Sequence, residues 1–130
     1  MSIWRGLTHN RAYTREDAPD PRLRGRTYSV PFVVVWDAAM ELAGGGLRGW
    51  SVTASDPRAG EIVAEARTTL WKFTDDIWIR ISLDEDAQTR VDLTSASRVG
   101  RADLGTNARR IARFLHALDR RILGPKQANR

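Results

Sequence analysis

Apolar positions recur along this chain in two rhythms. Between Pro31 and Gly46, Phe32, Val35, Trp36, Ala39, Leu42 and Ala43 return at intervals of three and four, which predicts one buried helix face. Pro31 falls in the first turn, where a missing N–H costs nothing, and Gly44-Gly45-Gly46 ends the helix through poor propensity and tolerance of a left-handed stop. Tyr28-Ser29-Val30 just before it reads as a short strand. From Leu47 the period shortens to two. Trp50, Val52 and Ala54 alternate with Ser51, Thr53 and Ser55; after the turn Asp56-Pro57-Arg58-Ala59-Gly60, Ile62, Ala64, Ala66 and Thr68 alternate with Glu61, Val63, Glu65 and Arg67. Lys72 to Asp75 reads as another turn. Ile77, Ile79, Ile81 and Leu83 then alternate with Asp76, Trp78, Arg80 and Ser82, Asp84 to Ala87 turns the chain again, and Thr89 to Arg98 supplies a strand with Val91 and Leu93 inward. A final helix starts near Asp103, a plausible N-cap, with Leu104, Ala108, Ile111, Leu115, Leu118 and Ile122 on one face, Phe114 beside them, and Gly124-Pro125 as its stop.

The order is β-α-β-β-β-β-α. It predicts an α+β fold, a four- to five-stranded antiparallel sheet with one face covered by two helices, similar to helix-grip folds at the level of architecture, which assigns no function. Residues 28–123 form the expected single domain. Residues 1–27, with Pro19 and Pro21 in a polar stretch, read as an N-terminal arm, and 124–130 as a frayed tail.

Composition sharpens this picture mainly by exclusion. A chain of 130 residues that is 42% hydrophobic suits one domain burying roughly two-thirds of its unfolded surface. Zero cysteines remove disulfide and thiolate chemistry, and two histidines, His9 and His116, are too few for a histidine-rich metal site. No catalytic constellation or cofactor motif emerges, so the expectation is a non-enzyme with no cofactor. The opening residues lack a secretory pattern and no apolar run approaches the roughly 20 residues of a membrane span, which predicts a soluble, cytoplasmic protein. The net charge of +5 is unevenly spread: +3 over residues 1–27, −5 over 28–97 and +7 over 98–130. The basic final block reads first as the solvated face of a helix, then as a surface for an acidic protein or small anion; nucleic acid ranks last, since no nucleic-acid module signature accompanies it.

Several motifs, taken together, resemble a known family. Gly49-Trp50-Ser51-Val52, Asp56 with Gly60-Glu61-Ile62, Phe73-Thr74-Asp75-Asp76-Ile77, and above all Ser95-Ala96-Ser97-Arg98-Val99-Gly100-Arg101-Ala102-Asp103-Leu104-Gly105-Thr106-Asn107-Ala108-Arg109-Arg110-Ile111 resemble the bacterial and plant family called domain of unknown function 1499, over about residues 27 to 122. The resemblance brings no established activity. Some members carry membrane segments or a cysteine-containing N-terminal motif, and neither is found in this sequence.

The longest of these motifs also has a physical reading. Arg98, Arg101, Gly105, Thr106, Asn107 and Arg109 cluster where a helix N-terminus exposes N–H donors, so they are candidate ligands for an anion. The plainer alternative pairs Arg98 or Arg101 with Asp75, Asp76 or Asp103 and leaves the glycines to shape a tight turn; it is favoured, because the chain itself supplies the acidic partners. Asp75 and Asp76 are adjacent in a strand and point to opposite faces, so they form no acid–base dyad. Ser95 and Ser97 share a face but have no histidine partner. Trp36, Trp50 and Trp71 read as core. Trp78 is out of phase with its isoleucine neighbours and projects with Arg80 from the other sheet face, either covered by the arm at Trp4 or exposed for a partner. Trp78, Arg80, Arg110 and Arg113 are therefore the candidate contact surface. The expected function is a binding or interaction domain with a basic strand-to-helix segment for an anionic group. The alternative is a ligand pocket between helix and sheet lined by Phe32, Trp36, Trp50 and Ile79.

Overall fold

The computed structural model describes residues 11–68, 73–98 and 104–125. Its elements are β1 (Arg11–Tyr13), a 3-10 turn (Pro21–Leu23), β2 (Arg26–Tyr28), α1 (Phe32–Glu41) running into a π-helical turn (Leu42–Gly46), β3 (Trp50–Asp56), β4 (Glu61–Arg67), β5 (Thr74–Leu83), β6 (Thr89–Ser97) and α2 (Leu104–Leu123). The strands form one antiparallel sheet in the order β1-β6-β5-β4-β3, with β2 also on β6. This is the α+β architecture that the alternation predicts, with six strands rather than four or five.

The extra strand comes from the N-terminal region. Arg11–Tyr13 pairs with Ala96–Thr94 and Arg26–Tyr28 with Val91–Thr89, so β1 and β2 lie in tandem along one side of β6 and residues 14–25 loop out between them. Residues 11–27, read as arm from their prolines, thus contribute to the sheet. Three-residue strands carry too little alternation to register as a period. Backbone and side-chain bonds hold the loop: Arg15 N–H donates to Leu23 O at 2.8 Å and Arg24 Nε to Ala18 O at 2.8 Å. Residues 1–10, 69–72, 99–103 and 126–130, which include Trp4, His9, Trp71, Arg101, Asp103 and the expected tail, lie outside the described residues.

Three boundaries shift. β2 ends at Tyr28, not Val30, ahead of the extended Pro31 that caps α1. β3 keeps Trp50 buried and Val52 half-buried, but a register shift between Val52 and Ala54 turns Ala54 out to solvent, a bulge on an edge strand. β5 begins at Thr74, so Asp75 belongs to the strand with Asp76 rather than to the turn before it. Gly60 is obligatory at its turn: φ is +70° and an added Cβ would meet Ile81 O at 2.0 Å.

The core lies between one sheet face and the two helices. Val35, Ala39, Leu42 and Ala43 from the α1 region and Ile111, Phe114, Leu115 and Leu118 from α2 close over Ile62, Ile77, Ile79, Ile81, Val91 and Leu93. Trp50 stacks on Phe114 at 5.3 Å and Phe32 on Trp36 at 5.7 Å. Of the residues expected to wall a helix–sheet pocket, Phe32 thus packs on Trp36, Trp50 packs on Phe114, and Ile79 is fully buried.

Candidate anion-binding groove

The β5–β6 register aligns Asp75 with Ser97 and Ile77 with Ser95, and the pleat directs all four side chains beneath α2. α2 meets them with Asn107 and Arg110, one turn apart. Ser95 Oγ donates to Asn107 Oδ1 at 2.7 Å, and Asn107 Nδ2 donates to Ser97 Oγ at 3.0 Å. The Arg110 guanidinium grips Asp75 Oδ2 through Nε and Nη2, both at 3.0 Å. Asp75 is fully buried and the Arg110 side chain only 15% exposed. Asn107, a candidate anion ligand by sequence, faces inward and joins α2 to β6.

Arg98 goes the other way. Asp76 projects from the open sheet face, and Arg98 forks onto it through Nε at 3.0 Å and Nη2 at 2.8 Å while also pairing with Glu65. Those two carboxylates, Asp76 first, hold the guanidinium more firmly protonated than usual. Arg98 is therefore bound to internal acids on the face away from α2 and is not brought to Gly105, Thr106 or Arg109. The aspartate-pairing alternative describes it.

What remains at the start of α2 is a groove of about 150 Å³ lined by Thr106, Arg109, Arg110 and Arg113. Positions 106, 109, 110 and 113 are spaced three and four apart, which puts them on one helix face. Arg109 Nη2 donates to Thr106 Oγ1 at 3.3 Å. Arg110 is anchored by Asp75. Among the described residues Arg109 and Arg113 meet no carboxylate. Gly105 lies exposed beside this face.

The candidate contact surface divides. Trp78 and Arg80 lie on the open sheet face, where with Arg11, Tyr13, Thr14 and Asp92 they line a separate cavity of about 360 Å³, whereas Arg110 and Arg113 belong to the helix layer. His116 is exposed, as expected for a solvated imidazole. The Asp75–Arg110 pair was missed by sequence reasoning, although Asp75 is in phase with Ile77, Ile79 and Ile81, and Arg110 precedes the buried Ile111. No group of three or more His, Asp or Glu side chains suited to a metal occurs among the described residues.

A family model described as "Protein of unknown function (DUF1499)" matches residues 8–118. The chain belongs to the DUF1499 family. The match takes in β1 and the loop that follows, so the DUF1499 match begins ahead of residue 27, where the resemblance in sequence was drawn. No curated protein matches. The crystal structure of CalU16 from Micromonospora echinospora aligns over 92% of this chain and 93% of that one at 15% identity, with a TM-score of 0.37. No helix among the described residues is long and apolar enough to cross a membrane.

Proposed function

We propose that this DUF1499 domain is a binding module that receives an anionic group of an acidic partner in the Thr106–Arg109–Arg110–Arg113 groove. The observation that carries the reading is the pair Arg109 and Arg113, which face the groove with no carboxylate partner among the described residues. Like charges four residues apart on one helix face repel. A carboxylate or phosphate in the groove relieves that repulsion, and the planar guanidinium fork suits two-point recognition of its oxygens.

Calorimetric titration with hexaglutamate at low and high salt tests the reading. Binding that weakens as salt rises and is lost in the Arg109→Ala/Arg113→Ala protein is the expected result. An unchanged affinity in that double variant, or tighter binding of an oligonucleotide of equal charge, overturns it.

A further inference from the structure

A second recess flanks the same two turns of α2. Gly105 and Ala108 lie about 120° around the helix from the arginine groove, at 100° per residue. Their small side chains leave a cleft of about 460 Å³ between α2 and the edge of the sheet, floored by Ala18, Pro19, Leu23, Gly105 and Ala108. Arg11, which it shares with the Trp78 cavity around the edge of β1, and Arg15 also line it.

The cleft is built by ordered elements. The loop bonds of Arg15 to Leu23 and of Arg24 to Ala18 fix its floor, and Ala18 is buried. Its one acidic lining residue, Asp20, is gripped by Arg22, whose Nε lies 3.1 Å from both carboxylate oxygens and whose Nη2 lies 2.7 Å from Oδ2. Arg11 lies over the Tyr13 ring, 5.5 Å from its centroid, and among the described residues Arg15 pairs only with the exposed Asp17, at 3.6 Å. A donor is available as well. Ala12 pairs with Ser95 and Thr14 N–H donates to Leu93 O at 2.8 Å, so the intervening Tyr13 N–H and C=O point away from β6, along the edge that lines the cleft.

We propose that this cleft binds a small amphiphile: an apolar chain or ring against Ala18, Leu23, Gly105 and Ala108, and one anionic head, a carboxylate or sulfonate, between Arg11 and Arg15. Charge complementarity selects the head: among the described residues Arg11 meets no carboxylate and Arg15 only the exposed Asp17, while the lining carboxylate, Asp20, is already held by Arg22. The volume falls within the usual range for small-molecule sites. This site does not depend on the arginine groove.

The test uses the full chain with 8-anilinonaphthalene-1-sulfonate as probe, followed by fluorescence and by amide chemical shifts. The expected outcome is saturable one-to-one binding that shifts the amides of Tyr13, Ala18, Leu23, Gly105 and Ala108 and is competed by octanoate. Gly105→Leu, which fills the cleft from an exposed helical position, should weaken binding at least about tenfold, and Arg11→Ala/Arg15→Ala about three- to tenfold. Arg109→Ala/Arg113→Ala should leave it unchanged, while Gly105→Leu should leave hexaglutamate binding unchanged, so the two sites fail separately. Shift mapping on the unsubstituted protein asks the same question if Gly105→Leu does not fold. Shifts confined to other regions, undiminished binding by a folded Gly105→Leu protein, or competition by octanol equal to that of octanoate would overturn the proposal.

Discussion

Asp75 and Asp76 are consecutive, and each is gripped by an arginine, yet the two pairs belong to different physical regimes. The pleat sends Asp75 under α2, where its carboxylate is fully buried against Arg110, and sends Asp76 to the open face, where it is 19% exposed and its Arg98 partner 48% exposed. Under the helix, water cannot replace a lost partner. On the open face it can. One chemical pairing is thus a structural requirement on one side of the sheet and close to neutral on the other.

The largest expected effect comes from breaking the covered pair. Arg110→Met leaves the Asp75 carboxylate buried without its guanidinium and should cost about 3–5 kcal/mol in urea denaturation; adding Asp75→Asn should recover most of that loss. If the single variant is as stable as the parent, the contrast between the two faces collapses. Because Arg110 is held by Asp75, the binding tests above use Arg109 and Arg113.

A second probe of the covered side is alkaline pH. Tyr28 is buried and donates to Asp119 Oδ1 at 2.5 Å, tying β2 to α2 beside the Arg26–Asp119 pair at 2.9 Å. Burial first, then that bond, pushes its phenol well above the ordinary value of about 10. The folded protein therefore keeps a proton that the unfolded chain releases, and this contribution to stability is complete below about pH 10 and declines as pH rises further. Tyr28→Phe should flatten that decline and, at neutral pH, lower stability by about 1.5–3 kcal/mol through loss of a bond to a charged acceptor. An equally steep alkaline decline in Tyr28→Phe, followed by circular dichroism, would show that the phenol does not drive it.

The smallest effect belongs to the open face. Arg98→Ala should change stability by no more than about 1 kcal/mol, with any loss shrinking as salt is added. A loss as large as that of Arg110→Met would show that the open-face network is as structural as the covered one.

Much of this was legible in the residues. The isoleucines at 77, 79 and 81 predicted β5 and its inward face, and the three- and four-residue spacing from Ala108 to Leu118 predicted α2. Asp75 was legible in principle, being in phase with those isoleucines, but its charge argued for a turn; the buried pair wins because Arg110 arrives from a distant element. β1 was not legible, because its strand character comes from pairing with Ala96–Thr94 rather than from its own three residues. The arginine groove was only half legible. Sequence proximity grouped Arg98 with Arg109, and the strand's alternation separated them.

By itself, then, the order of residues determined which of the longer segments are helix and strand, which of their faces are apolar, the α+β class, and the basic character of the final third. Those properties follow from local periodicity, which a single element carries within itself. Only the tertiary structure decided which arginine meets which aspartate, that Asn107 turns inward to two serines, and that Gly105 and Ala108 open a cleft against β1. Such matches depend on the register between strands and the seating of α2 on the sheet, and those are set by packing among segments far apart along the chain.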